Sequence, residues 1–125
     1  MIAFTTTSAA STSLRALLGA SVTTTNLQAT VFYHDVLRQV RPDDSPYQTV
    51  PQYASLAGTA EVSICDAPNT DVNRFIDGVV IYNADTVAAT VTVFLDDGTN
   101  RLMIKKLLAV GQSLIYEPGS GWQVV

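Results

Sequence analysis

Val87-Ala88-Ala89-Thr90-Val91-Thr92-Val93-Phe94-Leu95, followed by Asp96-Asp97-Gly98-Thr99-Asn100, decides the fold class. Successive side chains of an extended chain point to opposite sides, so Val87, Ala89, Val91, Val93 and Leu95 share one face and Ala88, Thr90, Thr92 and Phe94 the other. This alternation predicts a half-buried strand. It ends in a hairpin, because Asp-Gly supplies the positive φ that tight turns demand. Leu102, Ile104 and Leu108 bring the chain back, and Lys105-Lys106 within that apolar run mark a strand edge.

Working upstream, Asn83-Ala84-Asp85 is a turn, and Arg74 to Tyr82 is a strand whose Val79, Val80 and Ile81 make it apolar on both faces and therefore central. Ala60 to Cys65 forms another strand, closed by an Ala67 to Asp71 loop. Leu27 to Val36 is rich in β-branched and aromatic residues, with Leu27, Ala29, Val31 and Tyr33 expected on the core side. Ser13 to Leu18 is compatible with a helical turn or a strand; Gly19 and the Thr-rich stretch behind it favour the strand. Downstream, Ser113 to Tyr116 and Trp122 to Val125 flank a hairpin at Pro118-Gly119-Ser120-Gly121. Pro42, Pro46 and Pro51, with Asp43-Asp44-Ser45 between the first two, break any regular ladder and predict the longest irregular connection.

Turns recurring about every 8–12 residues without helical patterning predict an all-β fold. We expect a single antiparallel β-sandwich of about eight strands, with jelly-roll and immunoglobulin-like connections both open. Residues 5 to 13 are small, uncharged and without period, which predicts a flexible N-terminal arm over 1–12 ahead of a sandwich domain over 13–125. Removing the arm should leave the fold intact.

Composition narrows the function. Hydrophobic residues make up 47% of the 125 and charged residues only 14%, against an average of about 25% charged. A surface dressed in Thr, Ser, Asn, Gln and Ala is expected to be covered by neighbours, the plainer alternative being a Thr-rich soluble β-protein. The formal net charge of −4 leaves no basic stripe for nucleic acid. No apolar run is long enough for a membrane-spanning helix, and the N-terminus lacks a signal-peptide pattern, so cytoplasmic synthesis is expected.

Candidate chemistry is sparse. The single cysteine, Cys65, rules out an intrachain disulfide and a thiolate zinc cluster. His34 is the only histidine, and a Cys65–His34 pair oriented by Asp35 or Asp66 would need neighbouring strands; a structural histidine and a buried cysteine are the expected alternative. Asp96, Asp97 and Gly98 resemble half a calcium loop but are explained by the hairpin, and Asp43-Asp44 by a solvated loop. Trp122, Tyr116 and Tyr82 are candidate stacking platforms for a sugar, although Trp122 and Tyr116 fit ordinary cross-strand packing as well. No catalytic, cofactor-binding or metal-binding residue is therefore expected.

Tyr82-Asn83-Ala84-Asp85-Thr86, the Thr90 to Val93 alternation, Asp96 to Gly98, Leu108 through Gly111 to Leu114 and Tyr116, and Gly121-Trp122 form a recurring order. In it, Ile76 to Val125 resembles small structural β-sandwich proteins of tailed bacteriophages, and Leu27 to Val36 is similar too. The Pro-rich 42–51 loop departs from that pattern. The resemblance implies a non-enzymatic virion component, assembled in the host cytoplasm and serving as a capsid decoration or cement protein. Head-to-tail, tail or fibre attachment, or host-surface carbohydrate binding, would be the other roles. Implied partners are other virion proteins, the major capsid protein first, and the chain itself as a dimer or trimer, with no nucleic acid, membrane or cofactor.

Overall fold

The computed structural model describes residues 1–4, 12–37, 48–69 and 71–125. Ten strands run through them: β1 (Ala3–Phe4), β2 (Ser13–Leu18), β3 (Leu27–Leu37), β4 (Val50–Leu56), β5 (Val62–Cys65), β6 (Val72–Tyr82), β7 (Ala89–Asp96), β8 (Asn100–Leu108), β9 (Ser113–Glu117) and β10 (Gly121–Val124). They form two packed antiparallel sheets. The first runs β10-β9-β6-β3-β4, with β1 also pairing β6, and the second β5-β2-β7-β8. The β-sandwich expected from the alternation is therefore present.

The core lies between the sheets and is made by the period-two pattern. Leu14, Ala16 and Leu18 of β2 and Val91 and Val93 of β7 face Leu27, Ala29 and Val31 of β3 and Ile76, Val79 and Ile81 of β6, all essentially inaccessible. β6 is central, lying between β3 and β9, as its doubly apolar sequence requires. Each of the leucine, isoleucine and valine side chains among them contributes about 1.5–3 kcal/mol when removed from water.

The structure departs from the expected details at four points. Ile2 and Phe4 are buried, and β1 pairs Ala3 with Phe75 and Phe4 with Arg74. Residues 2–4 thus belong to the sheet rather than to an arm; two apolar side chains at i and i+2 suffice to hold one strand edge. The remainder of the expected arm, 5–11, lies outside the described residues, as do Pro42, Pro46, Asp43 and Asp44. Pro51 does not interrupt pairing: it stands in β4 opposite Phe32, on the outermost strand of its sheet, where a missing N–H can face outward. Strands β1 and β4 raise the number from about eight to ten. Val87, expected on the core face, precedes β7 and is exposed, because the turn after Tyr82 extends through it.

Two register irregularities matter locally. Phe32 pairs with Gly78 but Tyr33 with Ile76, so Asp77 is an extra residue in β6. Val93 pairs with Ile104 but Phe94 with Leu102, so Met103 is an extra residue in β8. Each bulge keeps apolar side chains facing inward on both sides of it while re-aiming one residue.

Candidate functional site

The Tyr82–Thr86 stretch forms the corner by which the chain leaves β6 for β7 in the opposite sheet. Asn83 is fully buried, and its Nδ2 donates to the carbonyls of Val87, Leu108 and Ala109 at 3.0, 3.1 and 3.3 Å. Its Oδ1 accepts the N–H of Asp85 at 3.0 Å. Asp85 is also buried, and its carboxylate gathers four backbone N–H groups. Oδ2 accepts from Thr23 at 2.8 Å, and Oδ1 from Thr24, Thr25 and Thr86 at 2.8, 3.1 and 2.8 Å. The Thr23 N–H foremost, with those of Thr24, Thr25 and Thr86, pulls the Asp85 carboxyl down to about 2, because hydrogen bonds to the charged form favour it. The corner is thus a clamp joining the β2–β3 and β6–β7 connections. An open depression of about 390 Å³ adjoins it, lined by Gly19, Ser21, Val22, Asp85, Val87 and Thr90 among others. Both carboxylate oxygens of Asp85 are turned to backbone, so the depression has no free carboxylate to offer a ligand.

His34 and Cys65 occupy different sheets and different environments. Nδ1 of His34 lies 2.8 Å from both carboxylate oxygens of Asp77, and its ring stacks on Phe75 at 5.2 Å. An ionised carboxylate only accepts, so Nδ1 carries the proton. The bulge at Asp77 is what brings that carboxylate onto the outer face beside His34, and Thr49 Oγ1 donates to it at 3.0 Å. Cys65 instead points into the core, where burial pushes its thiol up to about 11. Such a thiol is a poor nucleophile.

Neither of the proposed orienting acids serves a Cys–His pair. Asp35 receives Arg74 through both oxygens, at 2.8 and 2.9 Å. Arg74 also donates to the Asp66 carbonyl at 2.7 Å and lies 4.0 Å over the Tyr33 ring. Burial works against the Arg74 charge, yet the Asp35 hydrogen bonds and charge hold its pKa above the ordinary value. This ion pair closes one end of the sandwich and packs beside Cys65.

The Asp96–Gly98 segment is the hairpin expected of it. Gly98 has φ +103°, and its N–H donates to Asp96 Oδ1 at 2.9 Å. Asp97 Oδ2 accepts from Arg101 Nε at 3.1 Å, a contact that lowers the Asp97 pKa. Among the described residues no three His, Cys, Asp or Glu side chains group as a metal site would need.

Comparison with known proteins adds no assignment. No protein-family model, curated protein or solved structure matches the chain.

What the chain does present is apolar surface. Tyr116 and Trp122 pack against each other with their rings tilted by 45° and centroids 5.0 Å apart, and Tyr116 is buried in the core, so this pair is no open platform. Among the described residues the exposed rings are Phe32, Tyr53 and Tyr82, with Tyr53 at 74% exposure. Register places them on the outer face of the first sheet: Phe32 beside Pro51 and Gly78, Tyr53 opposite Thr30, and Tyr82 opposite Gln28. On the second sheet Leu102 and Leu107 are 67% and 64% exposed. Sequence reading singled out Tyr82 but missed Phe32 and Tyr53, whose exposure depends on which strand lies beside β3.

Proposed function

We propose that this protein is a non-enzymatic structural component of a bacteriophage particle, acting as a capsid decoration or cement protein that stabilises the head lattice. The observation that carries the reading is the large exposed side chains on both outer faces, Phe32, Tyr53 and Tyr82 on one and Leu102 and Leu107 on the other. In a chain only 14% charged, such surface suits burial against neighbouring subunits. The residues that carry the sequence resemblance, Asn83 and Asp85 above all, are spent on the corner clamp, so the likeness concerns scaffold and leaves recognition to surfaces. The partners in this reading are the major capsid protein and further copies of the chain, as a dimer or trimer, because closed cyclic symmetry suits capsid symmetry points. The protein is assembled in the host cytoplasm and resides in the virion, without nucleic acid, membrane or cofactor as a partner.

A second reading is favoured by the Phe32–Tyr53–Tyr82 face alone. Exposed rings interleaved with Gln28 and Thr30 can stack on sugar, as a tail or fibre module binding a host-surface carbohydrate would require. Counting copies in purified particles separates the two. A lattice protein is present in hundreds and mapped over the head, whereas a tail part is present in roughly a dozen or fewer, at symmetry-limited positions. Absence from the particle removes both readings.

A further inference from the structure

Four strands bound the two sheets: β10 and β4 on the first, β5 and β8 on the second. β5 and β10 have four residues each, whereas β8 has nine. Along that length β8 pairs only with β7, leaving its other side as a row of backbone donors and acceptors able to continue a ladder. Its sequence, Asn100 to Leu108, holds three of the chain's seven Lys and Arg residues and none of its 11 acids. Arg101 is engaged by Asp97. Lys105 and Lys106 are exposed and have no ion-pair partner among the described residues.

The register arranges these groups. Leu102, Lys105 and Leu107 stand opposite Phe94, Thr92 and Thr90, and Phe94 and Thr92 in turn face Arg15 and Leu17 of β2, on the outer side of the second sheet. Met103, the bulged residue, explains why Leu102 and Lys105 share a face at a spacing of three positions rather than two. Lys106 stands opposite Val91, a core residue, so a cation occupies the inward side of the edge as well. Two β8 edges brought together would set the uncompensated Lys105 and Lys106 of each copy across the joint with no acid of either strand between them, which disfavours a second copy. The same charges favour a carboxylate-bearing chain, and the exposed leucines offer it apolar contact.

We propose that β8 is a docking edge for an extended, acidic segment of a partner protein, which adds to the second sheet as a further antiparallel strand with carboxylates beside Lys105 and Lys106. This deepens and rests on the reading of the chain as one part of an assembly, by naming the chemistry of what it holds. Strand addition of this kind takes affinity from main-chain bonds and specificity from alternate side chains.

The test uses the free protein and a capped nine-residue peptide of valine and threonine with two adjacent glutamates at its centre, one for each face of the added strand, set against the same peptide with lysines in place of the glutamates. Amide chemical shifts are expected to move along 100–108 with the acidic peptide, and the affinity to fall roughly tenfold as salt is raised from low to well above physiological. The double variant Lys105→Glu/Lys106→Glu, altered only at exposed positions and keeping its remaining spectrum, is expected to exchange the preference for the lysine peptide. No shift along β8 at millimolar peptide, or equal affinity for the two peptides at low salt, overturns the proposal. So does a Lys105→Thr/Lys106→Thr variant that self-associates through β8 while the parent takes neither peptide, since the lysines would then be guards of the edge and nothing more. Because no particle enters this experiment, its outcome is independent of whether the protein is found in virions.

Discussion

Asp85 Oδ2 accepts the backbone N–H of Thr23 across 62 positions of sequence, at 2.8 Å, and its other oxygen takes Thr24, Thr25 and Thr86. One carboxylate thereby organises a turn that has no regular ladder of its own. The Asp85 carboxyl titrates at about 2 in the folded chain, below its ordinary 3.8. A depressed carboxyl contributes stability that is present above the unfolded pKa and lost as pH falls through the folded one. Denaturant midpoints should therefore decline between about pH 4 and pH 2. Asp85→Asn, which turns an amide donor toward N–H groups, should lower the midpoint at pH 7 and flatten that decline; an unchanged pH profile would contradict the clamp.

Asn83 supplies the other half of the corner, donating to three carbonyls from a fully buried position. Stranding buried acceptors costs about 1–3 kcal/mol each. Asn83→Ala should thus lose about 2–4 kcal/mol in urea unfolding, and Asn83→Asp, which sets an acceptor against acceptors, should lose more.

Phe4 is 1% exposed, at the end of a two-residue strand. A buried Phe→Ala change costs about 3–5 kcal/mol. Phe4→Ala should destabilise the fold by that order, and deleting residues 1–4 should do the same, which thermal unfolding would measure. A deletion confined to 5–11 separates the sheet residues from the rest of the segment.

Cys65 is inaccessible, and with its thiol near 11 only about one molecule in a thousand carries a thiolate at pH 8. A thiol reagent at that pH should label the native protein at the rate of unfolding and the urea-unfolded protein at once. Rapid native labelling would show that the Arg74–Asp35 end of the sandwich opens locally.

Much of the fold was legible because strand patterning is local. The alternation at Val87 to Leu95, the doubly apolar Val79 to Ile81 and the Asp96–Gly98 turn each carry their own physical reason, and β7, the centrality of β6 and the hairpin follow. β1 and β4 were not legible. Ala3–Phe4 is too short to show a period, and Pro51 argues against a strand unless that strand is known to lie at an edge. The two bulges were hidden as well, because a bulge is a relation between two strands and leaves no mark on either alone.

The same distinction divides the site residues. Residue type and spacing by themselves determined an all-β chain with few charges, one histidine and one cysteine, and a cationic pair on an edge. Only the tertiary structure decided that His34 meets Asp77, that Cys65 lies beside Arg74 in the core, and that Asp85 reaches Thr23. Those contacts join residues between 9 and 62 positions apart, most of them more than 40, and depend on strand order and register, which long-range packing sets and local sequence does not encode.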